Sequence, residues 1–274
     1  MRDGYWVVRS YESGKVGEKV KFFVAGARPD ARSLKKERDA MRKQEQNQRQ
    51  SAREAARIFN ENFGAGDYLL GLDYSAAGMA KLEAWADGQE GQDVEREGLI
   101  RQAAERELQL CLRRVRRALA REGKELRYHL AVTSDMDGET GEPVRVHHHL
   151  IINREAREAF TEKWKRLGGV SWEPLREQDD YLPVVEYILR QVRKVKDAKS
   201  YVSSRNLIRP QPKDRVALSG AELRVPKGGR LLYRGPTVPG LPQYLRYVLP
   251  ENRRTPPGDG QRRTEQVKAA GPSE

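Results

Sequence analysis

Residues 145–153 read RVHHHLIIN, which sets three of the chain's four histidines side by side at the entrance of a short apolar run. The run has the length and composition of a buried strand. In a strand alternate side chains share a face, so His147 and His149 point together while His148 points away with Leu150 and Ile152. Two imidazoles on one face, about 7 Å apart along the backbone, can close on one divalent ion. The competing reading is a solvent-exposed polar strand with no ligand.

A two-histidine site needs further donors. The preceding strand and turn offer Asp135, Asp137, Glu139 and Glu142. Carboxylate oxygens suit a harder ion, Mg2+ or Mn2+, and Asp135, at the end of the neighbouring strand, is the first choice. His129, on that same strand, reads equally well as a core residue and is left out of the site.

Around this centre the pattern is mixed. GYWVVRSYESGKVGEKVKFFVAG reads as a β-hairpin, and SLKKERDAMRKQEQNQRQSAREAARIFNEN at 33–62 as a solvated helix. YLLGLDYS at 68–75 is a strand. Apolar residues at Leu99, Ala103, Leu108, Leu112, Val115 and Leu119 mark a long amphipathic helix over about 91–122. RYHLAVTSD at 127–135 and the histidine strand are joined by DGETGEP and should pair antiparallel. A helix at 155–167 ends at Gly168 and Gly169, a short strand lies around VSWEPL, and LPVVEYILRQVRKVK at 182–196 starts a last helix with Pro183 in its first turn. The order predicts an α+β fold, a central antiparallel β-sheet with helices on one face.

The net charge is +12 with a pI near 9.8, which favours a polyanionic partner. No run approaches the ~18 apolar residues that span a bilayer, and the first residues lack the apolar core of a secretory signal, so a cytoplasmic protein without a membrane partner is expected. The one cysteine, Cys111, falls within the apolar spacing of LQLCLRRV and reads as packing. The chain contains no GxxxxGK[ST] phosphate loop.

The last helix carries a second candidate. Tyr187, Arg190 and Gln191 share a face, and Arg193, Lys194, Lys196 and Lys199 follow closely. A phenol is a poor nucleophile unless cations help it, and on this helix alone a packed aromatic with a polar handle is the simpler reading.

A paired-histidine strand followed by a tyrosine helix resembles the HUH endonucleases, the metal-dependent nickases that start rolling-circle replication. NENFGAGDYLLGLDYS stands where that family has its first motif, RVHHHLIIN where it has the histidine strand, and EYILRQ where it has the tyrosine helix. The match runs over about residues 5–210 and is nearest to replication initiators of plasmids, filamentous phages and integrative elements. This chain has Gly71 and Asp73 where the first motif is usually threonine-rich, His148 where an apolar residue usually separates the ligands, and Arg190 where lysine usually follows the tyrosine. A glutamate that often ends the preceding strand is absent, and Asp135 stands in for it.

The resemblance implies a ferredoxin-like palm and three segments: 1–62 as an N-terminal hairpin and polar helix, 63–210 as the endonuclease domain, and 211–274 as a Pro/Gly-rich basic extension whose last two dozen residues are too polar to order. It implies Tyr187 as nucleophile with Arg190 beside it, and a Mn2+ or Mg2+ ion on His147, His149 and Asp135. Arg193, Lys194, Arg205 and Arg209 would contact DNA. The expected partners are single-stranded or hairpin origin DNA and a host helicase. A catalytically degenerate origin-binding protein and a metal-binding structural protein are the alternatives.

Overall fold

The structure is a computed structural model that describes residues 4–25, 36–89, 94–137, 140, 142–190, 201–218, 222–237 and 242–254. In chain order its strands are β1 (Gly4–Ser13), β2 (Val16–Ala25), β3 (Tyr68–Asp73), β4 (Tyr128–Met136), β5 (Pro143–Ile152), β6 (Val170–Pro174), β7 (Lys213–Ala217), β8 (Arg230–Arg234) and β9 (Gln243–Val248). Its helices are α1 (Lys36–Asn62), α2 (Ala76–Asp87), α3 (Arg96–Arg121), α4 (Arg157–Trp164) and α5 (Leu182–Arg190). The fold is mixed α+β with two antiparallel sheets, and the single central sheet expected from the sequence is corrected accordingly. The described residues fall into two compact units, one built from parts of 1–62, 179–182 and 208–274, the other from 63–178 and 183–207.

A two-stranded ribbon alone is marginal in water. In the first unit the β1–β2 hairpin gains partners from far along the chain: β7 pairs with β1, β9 with β2, and β8 with β9. Strands β7, β8 and β9 are therefore part of the N-terminal sheet and not a separate extension. The three strands are short and divided by proline and glycine, which is why their composition resembled a linker. The hairpin turn needs Gly14, whose φ is +54° and where a Cβ would stand 2.2 Å from the Asn60 carbonyl oxygen.

Helix α1 is not the wholly solvated rod its polarity suggested. Ala55, Ala56 and Phe59 are fully buried, and the small alanines bring the helix close to its sheet. Arg57 lies 3.7 Å from the centre of the Tyr11 ring, and Arg53 3.6 Å from that of Tyr244. Beneath them Arg246, 1% exposed, donates to Glu18 at 2.5 Å and to both oxygens of Asp180 at 2.5 and 2.6 Å. Glu18 also accepts from Arg57 at 2.9 Å and Tyr244 Oη at 3.0 Å.

The second unit orders its strands β4-β5-β3-β6, with β4 and β5 joined as a hairpin. One face is packed by α2, α3 and α4 around Leu70, Leu72, Leu108, Leu112, Leu150, Ile152, Phe160 and Trp164. Each such side chain contributes about 1.5–3 kcal/mol on burial. Helix α2 was not foreseen from the sequence; Ser75 caps it by accepting from Gly78 N at 3.1 Å. The helix expected over 155–167 is a 3-10 turn at Arg154–Ala156 followed by α4. Among the described residues no helix is long and apolar enough to cross a membrane. The expectation of disorder beyond residue 254 concerns positions outside the described residues.

Removing the Arg246 charge should destabilise the first unit strongly. Arg246→Met leaves Asp180 without its cation and Glu18 with Arg57 alone, and a loss of about 3–5 kcal/mol in denaturant unfolding is expected. Burial opposes the Asp180 charge, but Arg246, the Leu182 N–H and Asn60 outweigh it and hold the carboxyl below its ordinary value. A depressed folded pKa adds stability above the unfolded value of about 3.9 and loses it as pH falls through the folded one. Stability of the wild type should therefore drop between about pH 5 and pH 2, and Arg246→Met should flatten that slope.

Candidate metal centre on the histidine strand

Strand β5 is central, hydrogen-bonded to β4 on one side and β3 on the other. Directly opposed residues of an antiparallel pair share a face. The register sets Ser134, His147 and Asp73 in one row, and Val132, His149, Gly71 and Ser171 in the next. His148 belongs to the opposite, helix-covered face with Thr133 and Leu72.

That alternation settles which histidines are available. His148 is fully buried, 3.0 Å from Thr133 Oγ1 and 2.8 Å from Tyr74 Oη, with Tyr74 and Trp164 edge-on to its ring. Burial, with the neighbouring histidines, pushes its pKa down to about 3. It is a satisfied, neutral core group. His147 and His149 are half-buried on the other face, their ring centroids 4.9 Å apart and their planes 86° to each other.

Their nitrogens are not equivalent. His147 Nδ1 lies 3.0 Å from the Arg145 carbonyl oxygen, which can only accept, so Nδ1 carries the proton and Nε2 keeps its lone pair. Ligating histidines are commonly oriented by such a bond. His149 Nδ1 is buried and has no hydrogen-bond partner. Burial, then the charge of His147, holds the His149 pKa down to about 4, against a pull from Asp73 in the other direction. A neutral imidazole with an unsatisfied buried nitrogen is the protonation state a cation requires.

Local backbone geometry shapes this face. Between His129 and Val132 the β4–β5 register slips by one residue, and Leu130 takes φ +51°, a conformation costing about 1–2 kcal/mol outside glycine. The bulge turns the Ala131 backbone outward, where it bonds both ways with Val202. At the end of β3, Gly168 presses on Asp73: a Cβ there would stand 1.8 Å from the Asp73 carbonyl oxygen. Trp164 Nε1 donates to that same oxygen at 3.2 Å. His129, kept out of the site on sequence grounds, is buried with Nδ1 2.7 Å from Ser203 Oγ.

The remaining predicted residues are scattered. Asp135 lines, with Met79, Ile100 and Arg101 of α2 and α3, a cavity of about 360 Å³. The carboxylate in register with the histidine pair is that of Asp73, which sequence reasoning noted only as a departure from a motif. Among the described residues no three His, Cys, Asp or Glu side chains converge as a ligand group. Tyr187 is 43% exposed on α5, whose Val185 and Ile188 are buried, and Arg190 is exposed one turn on. No hydrogen bond or ring contact joins Tyr187 to the histidine pair among the described residues. Arg205 and Arg209 are exposed, and Arg193 and Lys194 lie outside the described residues.

Comparison with protein-family models, curated proteins and solved structures gives no match, so function is argued from these residues. The three histidines should separate cleanly on substitution. His148→Ala is expected to cost about 2–4 kcal/mol of unfolding free energy, through a cavity and two stranded hydroxyls. His147→Ala should stay within about 1 kcal/mol, as for a site outside the core. In Mn2+ titration calorimetry His147→Ala and His149→Ala should each weaken binding at least about tenfold, the scale at which even outer-shell changes act.

Proposed function

We propose that the chain is a metal-dependent single-strand DNA nickase of the HUH type, acting on single-stranded or hairpin origin DNA to start rolling-circle replication. The observation that supports it best is the imidazole pair, half-buried on one sheet face, with a buried His149 Nδ1 lacking any partner. His147 and His149 would hold the cation, with Asp73 as the carboxylate in register beside His147, and Asp135, set against α2 and α3, has no part in it. When bound, Mn2+ or Mg2+ would supply Lewis-acid polarisation of a phosphodiester oxygen.

The chain's own residues carry the rest. The Tyr187 phenol oxygen forms a bond to phosphorus as the bond to the 3′ oxygen breaks, and the phenolic proton passes overall to the departing oxygen. The products are a 5′-phosphotyrosine and a free 3′-hydroxyl, and the reverse attack rejoins a strand. The exposure of Tyr187 leaves its hydroxyl accessible to a strand, and Arg190, three residues on, shares its side of α5 and can pair with phosphate. Arg205 and Arg209 contribute phosphate contacts. Unwinding is left to a host helicase.

A second reading, an origin-binding protein that does not cut, is favoured by the missing third ligand among the described residues. Incubation of the protein with a labelled pool of single-stranded oligonucleotides and Mn2+ distinguishes the two. A covalent protein–DNA adduct that disappears in Tyr187→Phe, and falls at least about a hundredfold in His149→Ala, is expected for the nickase. Retention without any adduct means the second reading.

A further inference from the structure

We infer that the second half of α3 is a separate contact surface for the backbone of a nucleic-acid duplex, independent of sequence and on the face of its sheet away from His147 and His149. Arg113, Arg114, Arg116, Arg117 and Arg121 fall within nine residues, and no acidic residue stands between Leu108 and Arg121. At 3.6 residues per turn they occupy an arc of about 160°, opposite the buried stripe of Leu108, Cys111, Leu112, Val115 and Leu119. Four of the five are exposed; Arg114 is half-buried, and its Nη1 is buried without a hydrogen-bond partner.

The first half of the same helix behaves differently. There Arg96 pairs with Asp87 at 2.9 Å, Arg101 with Glu105 at 3.4 Å, and Glu107 with Lys81 at 2.7 Å. Among the described residues none of the five later arginines has an ion pair, and Arg113 only donates to the Gln109 carbonyl. Like charges at i,i+3 and i,i+4 disfavour a helix, and the macrodipole rewards cations in the last turn alone, which covers Arg121. An external polyanion offsets the repulsion that the fold leaves uncompensated.

The chemistry selects the partner. All five side chains are guanidinium groups, which fork onto phosphate oxygens. Residues 108–121 contain no aromatic residue, and Trp164 of α4 is fully buried, so the patch offers no platform on which single-stranded bases stack. An acidic bilayer also attracts cations, but it holds a helix firmly only where apolar side chains enter it, and the apolar stripe of α3 faces the core. A duplex, with the densest phosphate array, fits what remains.

The test needs neither metal nor Tyr187, so its outcome is separate from that of the nickase assay. Anisotropy titrations of the full chain with a labelled blunt-ended duplex, in EDTA between 50 and 200 mM salt, give the slope of log affinity against log salt. For the triple substitution Arg113→Gln, Arg117→Gln, Arg121→Gln the slope should shrink by about 3 and the affinity fall at least about tenfold, equally for two unrelated sequences. The corresponding lysine triple should retain the wild-type slope, and Arg96→Gln should change nothing. An unchanged slope in the glutamine triple, with native circular dichroism, overturns the inference. So does a loss confined to anionic phosphatidylserine vesicles with duplex binding intact. If the glutamine triple fails to fold, a wild-type slope of zero against the duplex overturns it as well.

Discussion

A strand has a period of two, and one face of β5 packs into the core under α2, α3 and α4. From that constraint the rest of the second unit follows. Leu150 and Ile152 must enter the core, so His148 goes with them, and the hydrogen bonds of Thr133 and Tyr74 make a polar ring tolerable there. His147 and His149 are then forced onto the other face, side by side. A slip of one residue would reverse the assignment and leave two imidazoles buried in a hydrocarbon core.

This is why the centre of the fold could be read from nine residues while its surroundings could not. Alternation is local, so the pairing of the histidines, the β4–β5 hairpin and the stripe of α3 were all legible. The Asp73 carboxylate was not, because its place beside His147 depends on a strand register set more than seventy residues away in the chain. The bulge at Leu130 has no sequence signal either, since it demands a left-handed backbone from a residue that normally avoids it. Asp135 was chosen for closeness along the chain, which does not specify a face.

The first unit shows the same limit in another form. Its hairpin was evident, but its sheet is completed by KDRVA and QYLRYV, whose partners lie some two hundred residues earlier, and by RLLYR at the edge beside QYLRYV. Short strands between proline and glycine turns have the composition of a linker. Arg246 resolves the apparent contradiction: a buried cation holding Glu18 and Asp180 ties three distant segments of the unit together, and no local pattern announces it. Its role is one of specification as much as of stability, because such a network is satisfied in one arrangement only.

The central claim is that two of three consecutive histidines hold a cation and the middle one does not. Proton NMR of the Co2+-loaded protein with labelled histidine observes this directly, because ligating imidazoles acquire large paramagnetic shifts. Ring resonances of His147 and His149 should both take the large contact shifts of bound imidazoles on addition of one equivalent, while His148 shows only the smaller through-space shift of a nearby, unbound ring. Direct coordination shifts at His148, or none at either of its neighbours, would contradict the account.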